Sequence, residues 1–241
     1  MSKINQLLKS AARGFGVEID RVRPMPRIAQ MIHLCKANEC RTLLDIGANA
    51  GQYAQHLWNW GFSGRIISFE PQEEAYSELV ANASKVKGWD VAARICVGDK
   101  DGMASFNLSE NSVSSSLLPV LESSTSVKPE TAYVGQAEVP LRRLDSWVKE
   151  ELTGYDGAIA VKVDVQGFED GVLRGAEHVL ERIRVLELEM SLTNLYEGAP
   201  SFIELYARVE AMGFTCVGLY PGFTDWDTYQ MLQVDGLFTR Q

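Results

Sequence analysis

Short apolar runs alternating with amphipathic stretches set the rhythm of this chain. A helical spacing of apolar positions over 27–38 leads into "RTLLDI" at 41–46, which reads as a first buried strand, with 53–60 patterned as part of the next helix. The pairing recurs, with a second strand at 65–69, a helix over 73–83 and a third strand at 91–97. Such alternation implies parallel strands joined by helical crossovers on both faces. At about 102–142 the rhythm breaks into a Ser-, Thr- and Pro-containing stretch with strand patterns near 103–108 and 136–141, expected as an inserted hairpin carrying a long loop. The alternation resumes with a strand at 158–165, a helix over 168–183, a strand at 184–190 and a helix over 202–212. Two final strand patterns flank "PGFTDWDT", which is too short for a helical crossover and predicts an antiparallel pair.

The expected architecture is therefore α/β: a Rossmann-like doubly wound sheet, mostly parallel, with a C-terminal antiparallel hairpin. A helical lead-in over 1–40 precedes a single domain over 41–241. The length of 241 residues and 46% apolar composition suit one such core. A formal net charge of −9, with no dense Lys/Arg stripe, argues against a nucleic-acid partner. Cys35, Cys40, Cys96 and Cys216 show neither C-x-x-C pairing nor metal-ligand spacing and are expected as free thiols. The opening "MSKINQLLKSAARGFG" reads as a short amphipathic helix, neither a secretion signal nor a membrane span, so the protein is expected in the cytosol. A two-fold homodimer is the base-rate expectation for its assembly.

The candidate chemistry centres on "TLLDIGANAGQYAQ" at 42–55. Asp45, Gly47 and Gly51 fall at the carboxyl end of the first strand, the edge where open α/β sheets bind ligands. Gly47 permits a close backbone approach, and Gly51 opens a helix whose amides favour an anionic group. Asp45 is expected beneath the turn, holding its amides or meeting a cationic ligand group. Glu70, in "SFEP", closes the second strand, where a carboxylate accepts hydrogen bonds from both hydroxyls of a ribose. The spacing is G-x-x-x-G rather than G-x-G-x-x-G, and Asn49 stands near the place of the missing glycine, which disfavours a dinucleotide.

This pattern is similar to the S-adenosylmethionine site of class I methyltransferases. That resemblance implies a cofactor role for Asp45, Gly47, Asn49, Gly51 and Glu70, and an adenine contact for Asp99 in "CVGDKDG". The run "VKVDVQGFEDGVLRGA" at 161–176, with "SVSSSLL", "VPLRRLDSW" and "QVDGLFTR" in the same order, resembles the FkbM methyltransferase family over about 41–239. The resemblance implies methyl transfer from S-adenosylmethionine to oxygen, commonly on a sugar, a glycan or a secondary metabolite. Gln166 departs from the glutamate frequent at its place.

Methyl transfer to an alcohol calls for a positioned base. Asp164 is the first candidate, at the end of the fourth strand, and Lys162 shares its strand face. Glu189 and Glu187 share a face of the fifth strand, and Glu189 is nearer the expected site. Asp164, Glu189 and Asp235 could converge on a divalent ion, but no spacing signature supports a metal. Ser114–Ser116 could touch an acceptor from the insertion, and Tyr220, Phe223 and Trp226 could stack on one. His33, His56 and His178 read as helix-surface residues, while Gly171 and Gly175 read as packing positions. The competing readings are an NAD(P)-dependent oxidoreductase and a nucleoside-binding module without chemistry.

Overall fold

The computed structural model describes residues 26–240 together with Gly14 and Gly16, so the predicted amphipathic segment at the amino terminus otherwise lies outside the described residues. Helix α1 (Arg27–Ala37) precedes β1 (Thr42–Ile46), α2 (Gln52–Asn59), β2 (Arg65–Phe69), α3 (Glu73–Ala83) and β3 (Trp89–Val91). Next come β4 (Cys96–Gly98), β5 (Gly102–Ser109), α4 (Glu122–Thr125), β6 (Tyr133–Arg143), α5 (Leu144–Glu151), β7 (Ile159–Val163) and α6 (Glu169–Arg174). The remainder is β8 (Ile183–Ser191), α7 (Phe202–Ala211), β9 (Thr215–Pro221), the short β10 (Thr224–Asp225) and β11 (Gln230–Met231), and β12 (Gln233–Thr239).

Seven strands form the main sheet in the order β3-β2-β1-β7-β8-β12-β9. Pairings from β3 to β8 are parallel, and β12 is antiparallel to both neighbours. The doubly wound, mostly parallel sheet is thus as the sequence predicts. The final pair is antiparallel too, but β12 slots between β8 and β9 rather than closing an edge. Alternation along the central strands divides the core. Leu44, Ile46, Val161, Val163, Leu186 and Leu188 pack under α5, α6 and α7, whereas Leu43, Ile66, Ala160, Val185 and Leu237 pack under α1, α2 and α3. Among the described residues no helix is long and apolar enough to cross a membrane.

Two expectations fail for physical reasons. The predicted strand at 91–97 is split. Only Trp89–Val91 joins the main sheet, and Cys96–Gly98 pairs with β6 in a separate three-stranded sheet completed by β5. Ala92, Ile95, Cys96 and Val97 are all buried, so an apolar run conceals a change of sheet. The predicted helix over 168–183 stops at Arg174. Gly175 lies against the Gly98 carbonyl, so close that a Cβ there would sit 1.9 Å from that oxygen. Beyond it, the Asp145 carboxylate takes the amides of His178 and Val179, each at 2.9 Å, and His178 therefore sits in a turn. The insertion is a β5–β6 hairpin, as expected, and its loop folds back over the ends of β1 and β7.

Candidate active site

The switch in strand order falls at β1, between β2 and β7, and a cavity of about 280 Å³ opens there. Its lining includes Gly47, Asn49, Glu70, Lys162 and Asp164. Gly47 has φ +77°, and a Cβ on it would lie 1.8 Å from the Asp164 carbonyl oxygen. Only glycine lets the β1 turn press this closely on the end of β7. The Gly47 and Ala48 amides donate to the Phe69 carbonyl at 3.1 and 2.9 Å, and Asn49 N donates to Glu70 Oε2 at 2.8 Å. Asp45 therefore does not hold the turn's amides, because β2 and the Glu70 that follows it already satisfy them.

Asp45 is fully buried and does not line the cavity. It stands in register with Lys162, which stands in register with Glu187, so three charged side chains form a row across adjacent strands. Ser68 Oγ donates to Asp45 Oδ2 at 3.1 Å, and the Lys162 ammonium lies 3.5 Å from Oδ1. Lys162 also donates to the Gly47 carbonyl at 3.0 Å and pairs with Asp164 Oδ2 at 3.3 Å. Burial opposes its charge, but Asp164, Asp45 and Glu187 together hold its pKa above the usual lysine range. At the far end Tyr53 donates to Glu187 Oε2 at 2.8 Å, and Arg27 lies 3.6 Å from Oε1 while also bonding Asp235. This row keeps a charged group tolerable inside a parallel sheet.

At the carboxyl end of β7, Gln166 (φ +57°) directs its amide nitrogen to Asp164 Oδ1 and Glu189 Oε2, both at 2.8 Å. Gln233 adds a second donor to Glu189 Oε2 at 2.6 Å, and Tyr196 donates to Gln166 Oε1 at 2.7 Å. A glutamate in place of Gln166 would set three carboxylates together, whereas the amide binds the other two. Burial pushes the Glu189 carboxyl well above the ordinary range, and Asp164 and Glu169 add like charge. Glu169 closes this turn by accepting the amides of Val165 and Gly167 at 3.0 and 3.1 Å.

The other predicted residues fall as follows. Gly51 caps α2 at φ +90° and is packed against Trp89, outside the cavity lining. Asp99 is also outside that lining, ion-paired with Arg174 at 3.1 Å. Asp235 serves Arg27, and among the described residues no group of His, Cys, Asp or Glu is arranged to hold a metal. Ser116 donates to the Gln166 carbonyl at 2.7 Å, and Ser115 accepts the Ser109 amide at 3.0 Å, so both pin the insertion. Ser112, also in that loop, accepts from Asn49 Nδ2 at 3.2 Å. Tyr220 bonds Gln30 beneath α1 rather than facing an acceptor. Trp226 is 74% exposed, edge-on to Tyr229. Sequence reasoning passed over Arg27 and Tyr53, which line the cavity, and His56, exposed on α2 as expected, also borders it. Tyr53 and His56 sit one turn apart on a helix that follows the glycine turn, and that was their one available signal.

Burial pushes the Glu70 and Glu169 carboxyls up to about 7, although each accepts backbone amides that favour its charge. Their folded values lie above the ordinary 4.5, so the folded state holds the extra protons. Their contribution to stability therefore declines as pH rises from about 4.5 through 7. The ligand-free thermal midpoint of wild type, measured relative to Glu70→Gln, should fall between pH 5 and pH 8. Parallel midpoint curves for the two proteins would contradict this.

Residues 45–216 match the family described as the methyltransferase FkbM domain. The chain is 26% identical over 162 residues to the 2-O-methyltransferase NoeI of Sinorhizobium fredii, covering 65% of this chain and 65% of that protein. It is 25% identical over 177 residues to the hexuronic acid methyltransferase AglP of Haloferax volcanii, covering 72% of this chain and 66% of that protein. In both cases the match spans slightly less than two thirds of the relative's own length. Among solved structures, an rRNA methylase from Streptococcus thermophilus superposes with a TM-score of 0.47 at 12% identity, covering 92% of this chain and 99% of that one.

Proposed function

Because the chain belongs to the FkbM methyltransferase family, we propose that it transfers a methyl group from S-adenosylmethionine to a hydroxyl oxygen of a sugar or glycan. The observation that carries this reading is the junction at Asp164, whose side chain borders both the cavity at the glycine turn and a second cavity beneath the insertion. A carboxylate so placed takes a proton from a hydroxyl bound on one side while facing an electrophile bound on the other. The name of one relative, a hexuronic acid methyltransferase, favours a saccharide acceptor, and that of the other, a 2-O-methyltransferase, favours oxygen as the atom methylated. The four cysteines are free thiols, in keeping with action in the cytosol.

The donor set of the first cavity fits a nucleoside with an amino-acid tail. Each Glu70 oxygen accepts one backbone amide and keeps a further acceptor position, enough for a vicinal diol. Ile95 and Val97 supply apolar wall for a base. The first turn of α2, at Gln52 and Tyr53, offers helix-terminal amides to a carboxylate. When bound, S-adenosylmethionine supplies an electrophilic methyl group. Asp164 accepts the hydroxyl proton, Lys162 and Gln166 hold Asp164 in place, and Asp45 and Glu187 hold Lys162.

Calorimetric titration with S-adenosylhomocysteine tests the reading. Wild type should bind it and not NADH, and Glu70→Ala should weaken binding about 10–100-fold through the loss of charge-assisted bonds. Binding of NADH instead would return the oxidoreductase reading, and unchanged affinity in Glu70→Ala would remove Glu70 from the site.

A further inference from the structure

The second cavity, of about 220 Å³, shares Val113, Asp164 and Gln166 with the first and is otherwise walled by the insertion and the ends of β8 and β12. Its lining sets apolar Leu195 and Phe223 beside Ser124, Thr131, Tyr196 and Gln233. These four already donate within the protein, and their oxygens keep acceptor positions for the hydroxyls of a sugar ring. One cation, Lys128, completes it. We infer that this cavity holds the acceptor and that Lys128 selects a sugar bearing a carboxylate, a uronic acid, with the methylated hydroxyl directed at Asp164. The inference rests on the methyl-transfer reading above and goes beyond it by assigning the charge of the acceptor and the residue that reads it.

The charge balance around the cavity carries the argument. Asp164 is matched by Lys162 at 3.3 Å and bonded by the Gln166 amide. Glu189 has two amide donors, from Gln166 and Gln233, and withdrawal from water favours its uncharged form. Both carboxyls are therefore occupied by residues other than Lys128. Among the described residues Lys128 has no ion pair and no side-chain hydrogen bond. Its backbone is fixed on both sides: its amide donates to Ser124 O at 3.0 Å, and its carbonyl accepts Thr131 N at 3.0 Å and Thr131 Oγ1 at 2.8 Å. An anchored, half-buried lysine with an unmatched charge at the wall of a cavity is a receptor for an anion. The loop that bears it is pinned to the cofactor side through Ser112–Asn49 and Ser116–Gln166, so the anion is read at a set distance from Asp164.

The test uses the full chain with methyl β-D-glucuronide, methyl β-D-glucoside and glucose 6-phosphate as probes, titrated by saturation-transfer NMR with and without S-adenosylhomocysteine. The glucuronide should bind about tenfold or more tightly than the glucoside, and Lys128→Met should abolish that preference while leaving S-adenosylhomocysteine affinity unchanged. Equal binding of the two glycosides, a preference that survives Lys128→Met, or no sugar binding at all would overturn the inference. Tighter binding of the phosphate than of the glucuronide, lost in Lys128→Met, would also overturn it by assigning the cation to a sugar phosphate. Failure of S-adenosylhomocysteine to bind would remove the methyl-transfer reading alone, since the anion preference is also measured without it.

Discussion

Asp164→Asn should lower kcat about 10²–10⁴-fold, the usual contribution of a positioned general base. Its affinity for S-adenosylhomocysteine should stay within about threefold of wild type. The substitution is close to isosteric. An asparagine oxygen can still accept from Gln166 Nε2 or meet the Lys162 ammonium, so what is lost is the capacity to take a proton. Glu189 is the competing base, but it borders only the second cavity and its Oε2 is covered by two amides. Rapid-quench measurement of a single turnover isolates the chemical step. A loss of less than tenfold would move the role to another group, and a large loss in Glu189→Gln would name it. Lys162→Met should behave differently, lowering stability as well as rate, because it leaves Asp45 and Glu187 buried with one cation fewer.

Gly47→Ala should be the most destabilising single methyl that the glycine turn can receive. The new Cβ would fall 1.8 Å from the Asp164 carbonyl oxygen, which is backbone and cannot rotate away, at a φ of +77° that alanine resists. Either the β1 turn or the end of β7 must move. The combined cost is on the order of 3–5 kcal/mol, a large share of the usual total of about 5–15. Gly154→Ala supplies the control, since Gly154 has the same φ of +77° with nothing within 4 Å of its added Cβ. Urea denaturation of both variants separates the dihedral cost from the contact. Equal losses would mean that the turn relaxes freely and that its closeness to β7 is dispensable.

The pattern of the chain made the sheet legible because parallel strands buried on both faces are compact apolar runs, and the helices between them keep a 3.6-residue period. Asp45 and Lys162 could be placed on strands by the same token. Their mutual register could not, since which strand lies beside which is a property of the winding and not of any one run. That is why Asp45 was read toward the ligand turn when it belongs to Lys162 and Ser68. The break after Val91 and the early end of α6 were hidden for a related reason. Each depends on a contact from a distant segment: Cys96–Gly98 joins β6, and Asp145 captures the amides at 178 and 179. Gln166 could be noticed as a departure from a pattern, but its service to two carboxylates emerges only once β7 and β8 lie side by side.

The placement of β12 also bears on how the protein is made. Residues 233–239 supply the strand that joins β8 to β9, so during synthesis β9 has no partner in the main sheet until those residues have emerged. The nascent chain can assemble β1, β2, β3, β7 and β8 while still tethered. It must then hold the apolar edge of β8 exposed for as long as α7 and β9 take to be translated, on the order of a few seconds. Glu187 and Glu189, which lie on that waiting edge, are charges that would discourage another nascent chain from docking there first.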